Sequence, residues 1–267
     1  MNRLRHILWR ICRFLLLLYA GLALTGWFIA DRLIFQPQQP NYARLPGLLK
    51  FSADDGTALA GLYLPNPGAR HTLVFLHGNA EDLGDCLPWL QAMHDIGFAV
   101  LALDYRGYGL SAGRATEANV YADTHALMAY ARSQLGVKSE NCVIVGRSLG
   151  GSPAVELAAS AKVAGLVLIS AFSSAFRVSI PVKVLPFDRF DNLARIDAVR
   201  CPILFIQGTA DDVVPFAHGQ ALFAAATAPK RAVWIEGARH NDIFERAGDR
   251  ILRELVAFDA GLPAGKP

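Results

Sequence analysis

Short apolar runs recur along the chain and are separated by stretches of mixed polarity. The runs lie at Leu73–Leu76, Ala99–Leu103, Cys142–Val145, Gly165–Ile169, Ile203–Ile206 and Ala232–Ile235. Because they lack polar alternation, they predict strands that are buried on both faces of a parallel sheet. Helical stretches fall between them, at roughly Leu83–Ile96, Thr116–Leu135, Leu149–Ser160, Pro215–Ala226 and Asn241–Phe258. This alternation predicts a mostly parallel, doubly wound α/β sheet.

Two segments depart from the simple alternation. The alternating runs Leu48–Ala53 and Thr57–Leu64 flank an Asp-Gly turn, which predicts a leading antiparallel hairpin and therefore a mixed sheet. The interval Phe172–Arg200 contains two prolines and has weak helical periodicity. We expect it to form a short lid, over about residues 172–200, at the C-terminal edge of the sheet.

The N-terminus carries the longest apolar run of the chain. Residues 14–30 are uncharged, and four arginines precede them, at Arg3, Arg5, Arg10 and Arg13. A membrane-spanning helix needs about 20 mostly apolar residues. The sequence therefore predicts an anchor over residues 1–35, and the basic flank predicts a cytoplasmic N-terminus with the remaining domain, 36–267, across the membrane. A cleaved signal peptide ending near Gly21-Leu22-Ala23 and a buried core helix remain alternatives.

Charge and cysteine content exclude several classes of function. The 267 residues suit one large domain, and the net charge is +3. Without Asp31 and the five arginines of residues 1–32, the totals of 26 basic and 23 acidic residues become 21 and 22. The rest of the chain therefore offers no basic footprint for nucleic acid. The four cysteines show no metal-ligand spacing, and no metal or organic cofactor is implied.

A lone serine lies between glycines where a predicted strand meets a predicted helix. Gly146-Arg147-Ser148-Leu149-Gly150 fits G-x-S-x-G in the strand–turn–helix context of a nucleophile elbow. The tight turn needs glycine at both ends and exposes the serine hydroxyl above the sheet. The N–H of Leu149, at the start of the helix, is then one candidate donor for an oxyanion. The alternative is a helix N-cap serine flanked by flexible glycines.

A nucleophilic serine needs a base and an orienting acid later in the chain. His240 follows a predicted strand, whereas His218 falls inside a predicted helix and is expected to have a packing or surface role. Asp211 and Asp212 both follow another strand at the same sheet edge, and their spacing alone does not choose between them. A second oxyanion donor is expected from the backbone N–H of Asn79.

Five motifs together resemble the α/β-hydrolase superfamily. They are HGNA at 77–80, DYRGYGLSAG at 104–113, GRSLGG at 146–151, GTADDVVP at 208–215 and GARHND at 237–242. The first two are similar to the branch that holds single-pass membrane-anchored members and animal depalmitoylating thioesterases. The resemblance marks Ser148 as nucleophile, Asp211 as acid and His240 as base, with oxyanion donors at Asn79 and Leu149. It also implies that loop 104–113 shapes the pocket floor.

These observations together predict a membrane-anchored serine hydrolase that cleaves a carboxylic ester or thioester. Its expected partners are a small-molecule or lipid-like acyl substrate and the membrane, with no nucleic acid. The chain departs from the palmitoyl-thioesterase members by starting with an apolar span instead of a cysteine-rich lipidated segment. An aminopeptidase-like amide hydrolase and a catalytically silent, membrane-tethered binding module are the alternatives.

Overall fold

The computed structural model describes residues 2–180, 182 and 184–263. Within these residues, eight strands form a single sheet: β1 (Leu48–Ser52), β2 (Ala58–Leu64), β3 (Thr72–Leu76), β4 (Ala99–Leu103), β5 (Cys142–Arg147), β6 (Gly165–Ile169), β7 (Ile203–Gly208) and β8 (Lys230–Ile235). The same described residues contain seven α-helices: α1 (Asn2–Ile34), α2 (Leu83–Asp95), α3 (Glu117–Gln134), α4 (Gly151–Ser160), α5 (Ala175–Ser179), α6 (Ala217–Ala225) and α7 (Ile243–Ala260).

The sheet has the order β1-β2-β4-β3-β5-β6-β7-β8 and confirms the predicted fold class. β1 pairs antiparallel with β2, and β2 pairs antiparallel with β4, while all later pairs are parallel. The chain leaves β3 toward β4 on one side and leaves β5 toward β6 on the other. The strand order therefore reverses between β3 and β5, and their C-terminal ends border the crevice where a doubly wound sheet binds ligands. β5 ends at this crevice.

The central strands are buried because helices cover both faces of the sheet. Every residue of β3, β4, β5, β6 and β7 is buried, which explains their uninterrupted apolar runs. Two apolar clusters lie on opposite sides of the sheet, one including Val74 and Ile144 and the other including Leu73 and Val143. The alternation of neighbouring residues between the clusters is the period-two geometry of a strand.

The predicted helix boundaries differ from the observed ones mainly at their first turns. Residues 148–150 form a 3₁₀ turn before α4, and α6 begins at Ala217 instead of Pro215. The interval 172–200 contains only the short α5 and a 3₁₀ turn at Ile196–Ala198 among its described residues. Pro181 and Lys183 of this interval lie outside the described residues.

Helix α1 is the one described helix that is long and apolar enough to cross a membrane. Its apolar side chains are largely exposed, as with Leu16 (66%) and Phe28 (71%), so it is not a buried core helix. Its last turns nevertheless contact the rest of the chain, since Ala23 and Ala30 are buried and Phe35 packs into the core. The division between residues 35 and 36 stays a prediction.

Candidate active site

The turn after β5 holds Ser148 in an unusual backbone conformation, between two glycines that pack closely against neighbouring backbone. Ser148 has φ +51°, in the left-handed region that a non-glycine residue rarely occupies. A Cβ at Gly146 would lie 2.4 Å from the Gly150 oxygen, and one at Gly150 would lie 2.0 Å from the Leu76 oxygen. Both positions therefore require glycine because neighbouring backbone occupies the space of a side chain.

Three side chains from separate loops form a hydrogen-bonded row at the sheet edge. Ser148 Oγ lies 3.0 Å from His240 Nε2, and His240 Nδ1 lies 2.9 Å from Asp211 Oδ2. Asp211 follows β7 and His240 follows β8, as the sequence predicted. All three residues are buried. This order of hydroxyl, imidazole and carboxylate is the arrangement in which an imidazole removes a serine proton and the carboxylate orients the imidazole.

The two neighbouring aspartates have different surroundings. The Asp211 side chain has no exposed surface, and its Oδ1 also accepts hydrogen bonds from the Val213 and Val214 N–H groups. The Asp212 side chain is 48% exposed and lies near Arg239. Its only contact with His240 is with the backbone N–H, at 3.4 Å. The geometry therefore brings Asp211, and not Asp212, to the imidazole.

Asn79 lies in the loop after β3, and its side chain points to supporting groups. Its Oδ1 accepts hydrogen bonds from Tyr108 Oη at 2.5 Å and from the Gln36 N–H at 3.0 Å, while its Nδ2 donates to the Ile34 oxygen at 2.7 Å. Burial raises the pKa of the Tyr108 phenol, which keeps this hydroxyl protonated as a donor. The Asn79 side chain is therefore held at both its oxygen and its nitrogen by neighbouring segments.

Loop 104–113 contacts the loop after β3 and supports Asn79. It does not contribute to the lining of the cavity beside Ser148, contrary to the expectation that it shapes the pocket floor. It supplies Tyr108 to Asn79 instead, and its buried Asp104 accepts hydrogen bonds from Tyr42 and the Leu83 N–H. Burial raises the pKa of the Asp104 carboxyl. The loop thus positions the loop after β3.

Two other histidines, His77 and His218, have structural contacts. His77 is buried, its Nδ1 lies 2.7 Å from the Gly78 oxygen, and its ring packs against Tyr105. His218 lies in α6, where its Nδ1 accepts from the Ser173 N–H. Burial lowers the pKa of His218, followed in importance by the nearby charge of Arg177. Neither imidazole contacts Ser148.

A pair of charged residues at the elbow was missed by sequence reasoning. Arg147, the residue before the serine, pairs with Glu81, and Glu81 accepts the Gly78 N–H. Arg147 also donates to the His240 oxygen at 3.4 Å. The variable position of G-x-S-x-G carries no signal for this role. In the fold, however, Arg147 at the end of β5 contacts both the loop after β3 and the loop after β8.

A cavity of about 500 Å³ opens directly beside Ser148 and Leu149. This volume falls within the range of about 300–1,000 Å³ that small-molecule sites occupy. Most of its lining is apolar and comes from three places: the loops of the sheet edge, the lid and the end of α1. No group of three or more metal-ligating side chains is found in the part of the chain that the structure describes.

Comparisons with known proteins agree with this architecture. The family model of serine aminopeptidase, S33, matches residues 67–189. α/β-Hydrolase domain-containing protein 17B of Homo sapiens is 40% identical over 200 residues, covering 72% of this chain and 69% of the relative. The Xenopus tropicalis protein of the same name is 38% identical over the same shares of each chain.

Solved structures of similar fold include two esterases. The Pyrococcus furiosus esterase Pf2001 superimposes with a TM-score of 0.71 over 84% of this chain and 97% of its own. The esterase RhEst1 from Rhodococcus sp. ECU1013 superimposes with a TM-score of 0.64 over 81% of this chain and 100% of its own. Their sequence identities of 18% and 21% make these likenesses of fold alone.

Proposed function

This chain belongs to the α/β-hydrolase domain-containing protein 17 family, and from that premise we propose that it is a serine hydrolase that cleaves a carboxylic ester or thioester. The observation that carries the proposal is the hydrogen-bonded row of Ser148, His240 and Asp211 beside a mostly apolar cavity. A serine hydroxyl becomes an effective nucleophile only when a base is within hydrogen-bond reach, and His240 meets this requirement.

In the proposed mechanism, His240 Nε2 takes the Ser148 proton as Oγ attacks the acyl carbonyl. The Asp211 carboxylate holds the proton of Nδ1 and stabilises the imidazolium that forms. His240 then gives its proton to the leaving alcohol or thiol, which departs and leaves an acyl-serine. A water molecule deprotonated by His240 attacks this acyl group, and collapse of the second tetrahedral intermediate releases the acid and restores Ser148.

The backbone N–H groups of Asn79 and Leu149 are the proposed oxyanion donors. Leu149 directly follows the nucleophile at the start of a helical segment, where N–H groups have no intrahelical partner. Removing one such donor in enzymes typically raises the barrier by about 3–4 kcal/mol. No metal or organic cofactor enters this mechanism, because base, acid and oxyanion donors all come from the chain.

The lining of the cavity favours an acyl substrate over an amino-terminal peptide. An aminopeptidase needs a free carboxylate to bind the substrate ammonium group. Asp188 is the only acidic residue in the described lining, and its oxygens already accept from Ser174 Oγ and from the Phe176 and Arg189 N–H groups. The apolar remainder fits a hydrocarbon chain.

A substrate panel tests this choice. We expect the purified full chain to hydrolyse p-nitrophenyl esters and not aminoacyl p-nitroanilides, and Ser148→Ala to abolish ester turnover. Turnover of the anilides alone would favour the amidase. Failure of a fluorophosphonate to label wild-type Ser148, with Ser148→Ala as the control, would favour a silent binding module.

We also propose that α1 anchors the protein, with its N-terminus in the cytoplasm. The apolar composition of the helix and the arginines that precede its uncharged run support this topology. An alkaline phosphatase fusion after residue 40 tests the orientation, since the reporter is active only outside the cytoplasm. Resistance of the chain to carbonate extraction tests the anchoring itself. An inactive reporter on an extraction-resistant chain would reverse the orientation.

A further inference from the structure

The last three turns of α1 are packed onto the catalytic part of the chain. Ala23 and Ala30 are buried, and Gly26 between them is half-buried. Small residues at this spacing lie on one side of a helix and allow a close approach to its neighbour. The proposed anchor therefore ends as part of the active-site architecture and not as a free tether.

Arg189 of the lid binds this part of the helix. Its Nε lies 3.2 Å from Asp31 Oδ1, its Nη2 donates to the Trp27 oxygen at 3.1 Å, and its guanidinium lies 4.2 Å from the centre of the Trp27 ring. Arg189 is 8% exposed, so this contact is largely shielded from water. A charged side chain is rarely buried unless it is paired. Here the shorter ion pair is with Asp31 of α1, and Glu117 of α3 lies at 3.9 Å.

The end of α1 also holds the loop after β3, which carries Asn79. The Ile34 oxygen, in the last turn of the helix, accepts from Asn79 Nδ2, and the Gln36 N–H donates to Asn79 Oδ1. These two bonds hold both polar ends of the Asn79 amide. The position of the helix end is thereby coupled to the position of one proposed oxyanion donor.

One stripe of α1 forms a wall of the cavity that contains Ser148. Gly26, Ile29, Ala30 and Leu33 line this cavity. Their spacing of three, four and seven residues puts them on one face of the helix, over about 10 Å of its length. An acyl chain that occupies the cavity from Ser148 outward must therefore run along the anchor.

The cavity is bordered by exposed apolar side chains of the lid. Ile180, Val182 and Val184 are 44%, 63% and 48% exposed. The Val184 oxygen accepts a hydrogen bond from Tyr19, which lies within the uncharged run of α1. These exposed apolar side chains lie beside the proposed membrane-spanning run, and the anchor itself satisfies the Val184 carbonyl. Both features fit a surface that faces lipid.

We propose that the anchor helix is a wall of the acyl-binding cavity and that this cavity opens to the bilayer, so that the substrate is an ester or thioester whose acyl chain resides in the membrane. This inference rests on the proposed function. The inference depends on the observation that the Gly26–Leu33 stripe and Ser148 line the same cavity. The acyl chain passes from lipid to the serine along α1 and does not cross the aqueous phase.

The test compares two esters on the full chain reconstituted in phosphatidylcholine vesicles. One is p-nitrophenyl dodecanoate carried in the vesicles, and the other is p-nitrophenyl acetate in the buffer. Gly26→Leu is the main variant: a Cβ there would lie 3.7 Å from Leu185 and Phe187, so the larger side chain extends into the space between helix and lid. Gly21→Leu is the matched control, because a Cβ at Gly21 meets nothing within 4 Å.

The measured quantity is the ratio of kcat/KM for dodecanoate to that for acetate. We expect Gly26→Leu to lower this ratio by about ten-fold or more, the scale on which pockets discriminate by size. Gly21→Leu should leave it unchanged. Leu33→Gln, at an exposed position on the cavity rim, should also lower the ratio and guards against a folding defect in the first variant.

The possible failures are distinguishable. Equal ratios in Gly26→Leu, Gly21→Leu and wild type would refute the wall while leaving ester hydrolysis intact. A wild type that hydrolyses neither ester would refute the proposed function and this inference with it. A second copy of the chain is the competing occupant of the exposed surface. A dimer in detergent that Ile180→Asp converts to monomer would assign the surface to that copy and overturn its exposure to lipid.

Discussion

Replacing Asp211 by asparagine tests the proposed catalytic row most directly. In the proposed mechanism, the wild-type carboxylate, 2.9 Å from Nδ1, accepts a hydrogen bond from the His240 Nδ1–H. Nε2, 3.0 Å from Ser148 Oγ, is then free to receive the serine proton. An asparagine amide can present an N–H to Nδ1. The imidazole then carries its proton on Nε2, donates to Ser148 and is unable to act as base. Size and position are conserved, so the change acts on the tautomer.

The expected loss follows from the burial of the pair. Because the Asp211 side chain has no exposed surface, a water molecule cannot reach His240 to take over the role of the lost carboxylate. We expect kcat to fall by about 10⁴-fold, as for the corresponding substitution in serine proteases. This is about 5 kcal/mol of transition-state stabilisation. Asp211 also accepts the Val213 and Val214 N–H groups, and the asparagine oxygen retains an acceptor for them.

The assay is p-nitrophenyl ester hydrolysis as a function of pH, with the neighbouring Asp212→Asn as the matched control. Asp212 is half-exposed, lies near Arg239 and touches His240 only at the backbone N–H, so its replacement should change kcat by less than about three-fold. Thermal unfolding of both variants checks that each is folded. Near wild-type activity in Asp211→Asn, or a larger loss in Asp212→Asn, would refute the assignment of the acid.

Three further substitutions probe the surroundings of the row. Gly150→Ala should abolish fluorophosphonate labelling and lower the unfolding midpoint, because its Cβ would lie 2.0 Å from the Leu76 oxygen; normal labelling would contradict this view of the elbow. Arg147→Met should reduce the free energy of unfolding, measured in urea, by about 2 kcal/mol, because Glu81 is partly buried and loses its charged partner. An unchanged midpoint would argue against that role. Because the pKa of His218 is lowered in the folded protein, the unfolded chain binds the proton first, and stability falls as pH drops below about 6.5. In His218→Asn, thermal unfolding should show a shallower dependence of stability on pH. A slope equal to that of the wild type would contradict this prediction.

The fold was predictable because its signals are local. Buried strands such as β5 read as continuous apolar runs, since helices cover both faces of the sheet. The glycines at 146 and 150 were predictable for the same reason, because one tight turn determines their space. Asp211 could not be separated from Asp212 by spacing, since the choice depends on which carboxylate faces inward after β7.

Contacts between distant segments were beyond local patterns. The pairing of Arg147 with Glu81 joins residues 66 positions apart, and no periodicity signals it. The expectation that loop 104–113 shapes the pocket floor came from the family resemblance, which does not indicate which neighbour the loop contacts. Tyr108 reaches Asn79, and only the assembled loops reveal this.

The N-terminal helix shows most clearly what composition leaves open. Its apolar character is the same whether the helix is a tether or a wall, because lipid and an acyl chain both select hydrocarbon side chains. The position of the helix supports the proposed wall: Ala30 is buried, Asn79 donates to the Ile34 oxygen, and Arg189 donates to the Trp27 oxygen. An anchor that only held the enzyme near the membrane would have no need of these contacts. Removing the helix would expose apolar cavity lining and release the Asn79 side chain together, so the proposed anchoring and the proposed catalysis share the same few residues.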